Sequence, residues 1–255
     1  MSRYESWCAE IIAQTALLTS VVRTVDLTTP VPSCPGWNVG QLVRHLGGGQ
    51  RWAETAVRTR AASPPPDDHF RDLSRYTDED PVALADWLAD SAAGLADTLR
   101  AAGPDATMWT PVAGGSSSFY ARRFTHETVI HRADATLAVG RDFDLDHDVA
   151  IDAVDEWMEL GSLPEMFDFY PERRELLGPG RTLHFHATDT PAEWVVDLTR
   201  DVLAWRRAHE KSAVAVRAPL TDLLLLIYRR RSVAGLEILG DVKLLDFLLE
   251  RLAFG

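Results

Sequence analysis

Apolar side chains recur every three or four positions through the first 160 residues, and the spacing changes to every second position beyond Gly178-Pro179-Gly180. The two periods belong to helices and to strands respectively. A chain with this switch cannot be a single uniform bundle or a single sandwich. It predicts an α+β protein with a helical region first and a small sheet second. The helical region is placed at 1–165 and the α+β region at 178–255.

Local punctuation sets the elements. Trp7, Ile11, Leu18 and Val22 form one stripe of a helix over about 3–25. In "VPSCPGWNVGQLVRHLGG" (31–48), Pro32, Pro35 and Gly36 make a turn and Trp37 supplies an apolar anchor. Asn38 suits an N-cap with Gln41 as its capping-box partner, so a second helix starts at Val39 and carries His45 about two turns in. Asp80-Pro81 opens a third helix, ended near Gly103-Pro104. Ser118 is placed as the cap of a fourth, and Asp146 or Asp148 of a fifth. Helices of this length joined by loops predict an antiparallel bundle. Further on, "RTLHFHATD", "EWVVDLT", "VLAWRR", "SAVAVRA" and "GLEILGD" read as short strands. "PLTDLLLLIYRRR" reads as a buried helix, and Asp241 caps a last one.

Charge and cysteine usage narrow the partners. The net charge is −12, and the one dense basic run is Arg229-Arg230-Arg231, so nucleic acid and anionic membrane are excluded as expected partners. The longest apolar run, Leu223 to Tyr228, is too short to span a bilayer, and the start of the chain lacks a signal-peptide pattern. Two cysteines, Cys8 and Cys34, make no disulfide framework and suit a reducing cytoplasm, the expected location. Lysine occurs only at 211 and 243, an arginine-heavy skew of the kind GC-rich genomes produce.

The fourth helix contains "RRFTHETVIHRADA". Glu127 and His131, four apart, project about 40° apart in rotation and about 6 Å apart along the axis. A carboxylate and an imidazole at that spacing can share a metal ion with a histidine from a neighbouring helix, for which His45 is a candidate. Two nitrogens and one oxygen suit Zn²⁺, with Ni²⁺, Fe²⁺ and Mn²⁺ also accommodated, and three protein ligands leave a position open. The same pair also reads as a surface contact on one helix face, and His45 as a hydrogen-bonded core histidine.

"VPSCPGW" followed by "LVRHLGG", then "ARRFTHETVIHRADA" and "APLTDLLLLIYRRRSVAGLEILGD", resembles the mycothiol-dependent maleylpyruvate isomerase family of actinobacteria. The resemblance implies a DinB-like four-helix metal-binding domain followed by a sterol-carrier-like α+β domain. It places the metal ligands on His45, Glu127 and His131, with Zn²⁺ or another divalent ion such as Ni²⁺ as the metal and mycothiol as cofactor. It also implicates an arginine of the C-terminal domain in activity, matched here by Arg230, although family members usually carry glycine where Arg229 stands. The implied function is an isomerase or S-transferase acting on a small electrophilic acid, with the low-molecular-weight thiol and the small molecule as its partners. A metal-dependent hydrolase and a non-catalytic metal- or ligand-binding module are the alternatives.

Other residues have plainer readings. His126 lies about 100° around the helix from Glu127 and reads as a core or supporting histidine. His184 and His186 share a strand face; they either pair on a metal or form the polar side of a half-exposed sheet. Cys34, ahead of a proline in a turn, reads as packing. Arg122 and Arg123 either attract an acidic substrate or lie in solvent.

Overall fold

A computed structural model of the chain describes residues 2–67, 70, 73 and 79–252. Two compact units meet in sequence between Phe143 and Asp144. Together they make an α+β protein, helical in its first part and with a small sheet in its second.

In the first unit the described residues form α1 (Arg3–Val22), α2 (Val39–Thr59), α3 (Pro81–Ala102) and α4 (Ser117–Ala138). The predicted caps hold at two starts. Asn38 and Gln41 complete a reciprocal capping box at α2, and Asp80 accepts from the Ala83 amide ahead of Pro81 at α3. At α4 the cap is Ser116 instead of Ser118, because the Ser118 hydroxyl donates to the Pro104 carbonyl at 2.9 Å. The main helix contacts are α1 with α3 and α4, and α2 with α3 and α4, so the bundle runs α1-α3-α2-α4 around its axis. That order makes α2 and α4 neighbours although about 60 residues separate them, and it brings His45 towards the Glu127–His131 face.

Two apolar clusters fill this bundle. Ile11, Val57, Leu95 and Tyr120 belong to one, and Leu18, Leu42, Leu46 and Leu88 to the other. Gln50 donates to Thr15 and Thr128 within the bundle core. No described helix is long and apolar enough to cross a membrane.

The second unit holds α5 (His147–Gly161), α6 (Glu165–Phe169), a 3₁₀ turn (Pro171–Leu176), β1 (Thr182–Ala187), β2 (Glu193–Asp197), β3 (Ala204–Arg206), β4 (Val214–Ala218), α7 (Leu220–Ile227), β5 (Glu237–Gly240) and α8 (Val242–Arg251). The five strands run β3-β2-β1-β4-β5, with β1 and β4 parallel and the other pairs antiparallel. Each strand lies in one of the five segments whose spacing predicted it. Leu183, Phe185, Trp194, Val196, Val214 and Val216 are buried by alternation, and α7 buries Leu223 to Ile227.

The boundary differs from the expected one at 165–178. Helix α5 packs on α7, and its Asp155 accepts the Trp194 indole N–H at 2.8 Å, so it belongs with the sheet. Its apolar face of Val154, Trp157 and Met158 fits either partner by periodicity alone.

Candidate metal centre

The turn before α2 is a tight loop. Gly36 adopts φ +86°, a left-handed conformation that glycine takes without strain. Val31 and Trp37 are tied by a backbone hydrogen bond, and Pro30 bridges to Asn38. This closure points Ser33 and Cys34 at α4. The Ser33 hydroxyl donates to Asp134 Oδ1 at 2.6 Å, and Cys34 Sγ lies 3.5 Å from Asp134 Oδ2. Cys34 thus packs as expected against the α2 end of the bundle and also borders the site.

Asp134 is fully buried, and its Oδ2 accepts from His131 Nδ1 at 3.0 Å. That bond fixes the ring and directs Nε2 to the opposite side, where it stands 3.4 Å from Glu127 Oε2. His45 is held in the same manner by a different acceptor. Its Nδ1 donates to the Phe70 carbonyl oxygen at 3.2 Å, so Nε2 is the nitrogen a metal ion would take. The rings of His45 and His131 lie 5.3 Å apart at 86°, with Trp37 4.8 Å from His45.

Phe70 reaches α2 because Gly48 has no side chain: a Cβ there would stand 2.3 Å from the Phe70 Cβ. Arg123, read as a substrate-attracting or solvated residue, donates from Nε to Glu127 Oε1 at 3.1 Å. Arg122 stacks over Trp7 instead.

Electrostatics follow this geometry. Burial alone would push the Glu127 carboxyl up, but Arg123, His131 and His45 outweigh it and hold the group well below the usual carboxylate range. Burial opposes protonation of His131, yet the bonds to Asp134 and Glu127 raise it to about 9. Glu127 keeps 36% of its side chain exposed while His131 keeps 8%, so the carboxylate marks the accessible side. Cys34, His131 and Asp134 group their ligating atoms within 4.8 Å. The Asp134 carboxylate there is already engaged by Ser33 and by the His131 N–H, which is the arrangement of a carboxylate that orients a ligand.

Of the residues singled out in the sequence, His45, Glu127 and His131 come together from two helices. His126 is fully buried. Arg230 lies in the second unit just beyond α7, where its Nη1 donates to the Tyr228 carbonyl at 2.7 Å and its amide to Leu225. Arg229 before it adopts φ +60°, a left-handed position suited to glycine.

Sequence reasoning missed Asp134, Ser33 and Phe70. Asp134 was findable, since it follows His131 by three residues on the same helix. Phe70 acts through a backbone carbonyl, which no residue type announces.

The mycothiol maleylpyruvate isomerase N-terminal domain family model matches residues 8–136, and the C-terminal domain model of the same family matches 148–247. No curated protein matches the chain. Among solved structures, the crystal structure of a mycothiol-dependent maleylpyruvate isomerase aligns at 15% identity with a TM-score of 0.65, covering 93% of each chain. A histidine-to-alanine mutant of that isomerase aligns at 15% identity and 0.64, with the same coverage. At this identity the likeness speaks for the fold.

Proposed function

The chain belongs to the mycothiol maleylpyruvate isomerase family, and from that premise we propose that it is a mycothiol-dependent enzyme holding a divalent metal ion, Zn²⁺ or a relative such as Ni²⁺, on His45, Glu127 and His131. The substrate class is a small electrophilic acid, and the reaction an isomerisation or an S-transfer. The observation that carries this reading is the pair of pinned imidazoles. A backbone carbonyl holds one and a buried carboxylate holds the other, each through Nδ1, beside an ionised Glu127.

Once His131 gives up its Nε2 proton, two imidazole nitrogens and one carboxylate oxygen make a donor set that fits such an ion. When bound, the ion supplies a Lewis-acid position at which an external thiol ionises near neutral pH. The chain's own groups do the rest. Asp134 and the Phe70 carbonyl set the tautomers of the two histidines. Arg123 fixes one oxygen of Glu127 and keeps it charged. Burial pushes the Cys8 thiol up to about 11, which makes Cys8 unfit as a nucleophile. Arg230 is the proposed guanidinium for the carboxylate of an acidic substrate.

Elemental analysis of the parent protein and of His45→Ala, Glu127→Ala and His131→Ala tests the ligand set. Each variant is expected to lose one equivalent of metal relative to the parent. Full retention in all three would overturn the assignment. Turnover of ester or amide substrates without any thiol would favour a hydrolase instead.

A further inference from the structure

A second group of histidines gathers in the sheet. His186 on β1 faces Glu193 on β2 as its Cα partner, and His184, two residues earlier, shares that face of the strand. On this polar face 8% of the His184 side chain, 22% of His186 and 18% of Glu193 remain exposed. His209, from the segment between β3 and β4, closes over the group and is itself 77% exposed.

All three imidazoles meet one carboxylate. His184 Nε2 lies 2.8 Å and His209 Nδ1 2.6 Å from Glu193 Oε2, and His186 Nδ1 lies 3.2 Å from Oε1. The rings stand 5.3–5.9 Å apart, tilted by 72–87°, so they converge edge to face and none stacks on another. One ligating atom from each of the four residues lies within 4.8 Å of all the others. At zinc–nitrogen distances near 2.0–2.1 Å, a tetrahedron has ligand atoms about 3.3–3.4 Å apart, so the widest of these separations close by up to about 1.4 Å to complete the sphere.

The carboxylate is also reserved for this group. Among the described residues, the ion-pair partners of Glu193 are these three histidines, with no arginine or lysine among them. Arg217, the partner of His186 on β4, is engaged by Glu237, and Arg206 by Glu210.

We propose that His184, His186, Glu193 and His209 form a divalent transition-metal site of the zinc class in the C-terminal unit, clasping the 207–213 segment to the β1–β2 pair. Three imidazoles and one carboxylate are a borderline-soft donor set that favours zinc and its neighbours over magnesium or calcium. The exposed His209 provides the way in from solvent. This site uses none of the residues of the helical unit, and its test is independent of the metal assigned there.

The test uses the full chain, stripped with a chelator and titrated with zinc chloride. A His45→Ala/His131→Ala variant is expected to bind one equivalent of zinc still. Adding His186→Ala and His209→Ala, both at positions open enough to leave the sheet folded, is expected to weaken that binding by at least about tenfold. It should also abolish the zinc-dependent rise in melting temperature. Zinc binding unchanged by the added pair, or none in the His45→Ala/His131→Ala variant at a concentration that saturates the parent, overturns the proposal. Should the multiple variants fail to fold, crystals of the parent grown with zinc decide it. An anomalous peak within bonding distance of these four residues supports the site, and its absence there overturns it.

Discussion

Replacing Asp134 by asparagine removes one charge from the centre of the helical unit while leaving shape almost unchanged. The carboxylate is fully buried and accepts from the Ser33 hydroxyl at 2.6 Å and from His131 Nδ1 at 3.0 Å. The asparagine can keep its oxygen towards His131 and turn its NH₂ towards Ser33, whose hydroxyl can rotate to accept. The imidazole stays oriented, but a bond to a charged acceptor, worth about 1.5–3 kcal/mol, becomes a neutral one worth about 0.5–1.5 kcal/mol. A loss of about 1–1.5 kcal/mol in holding an electron-rich His131 corresponds to roughly tenfold weaker metal binding. Asp134→Ala is harsher. It removes the acceptor of the buried His131 N–H, at about 1–3 kcal/mol, and that of the part-buried Ser33 hydroxyl, a large part of the stability of any domain. Competition against a chromophoric zinc chelator measures the effect, in a His186→Ala/His209→Ala background so that zinc reports on the helical unit. Urea unfolding checks that the asparagine variant is folded. A folded Asp134→Asn protein with zinc affinity within about twofold of its parent, under about half a kcal/mol, would refute the orienting role.

Three further outcomes follow from particular contacts. Gly48→Ala pushes a methyl group into the Phe70 Cβ and draws the Phe70 carbonyl away from His45; overpacking of this kind costs about 1–3 kcal/mol, so urea unfolding should show net destabilisation together with weaker zinc binding. Arg229→Gly relieves a left-handed φ of +60° at an exposed position and is expected to stabilise the protein by about 0.5–1 kcal/mol in the same assay, after the greater freedom of glycine in the unfolded chain. Cys8, fully buried with its thiol raised to about 11, presents about one part in a thousand of thiolate at pH 8; alkylation followed by mass spectrometry should leave it unmodified there, and its labelling should rise as the pH approaches 11 or the chain unfolds.

What the sequence made legible was mostly local. Asn38 with Gln41, Asp80 with Pro81 and Asp241 before α8 are helix starts because each side chain bonds an amide three residues on, a relation contained in a few letters. The Glu127–His131 pair is equally local, one helical turn apart. The partner of α5 was not legible. Its apolar stripe says that it must be covered, whereas the Asp155–Trp194 bond that shows by what spans 39 residues. The Phe70 carbonyl was hidden for a similar reason: it is backbone, delivered from beyond a proline-rich loop to a glycine on another element. His209 lies 23 residues from His186, and the β1-β2-β3 meander brings it to Glu193, so the strand alternation that marked His184 and His186 did not mark it.

The central claim is that the metal held by His45, Glu127 and His131 is where mycothiol binds. Its most direct test is the melting temperature of the zinc-loaded protein with and without mycothiol, beside zinc-loaded His45→Ala/His131→Ala. At a hundredfold excess over Kd, binding should stabilise the parent by about 2.7 kcal/mol. For a chain of this size that is a rise of roughly 5–10 °C, and the variant should show none. The same rise in the variant, or no rise in the parent at saturating mycothiol, would contradict the account.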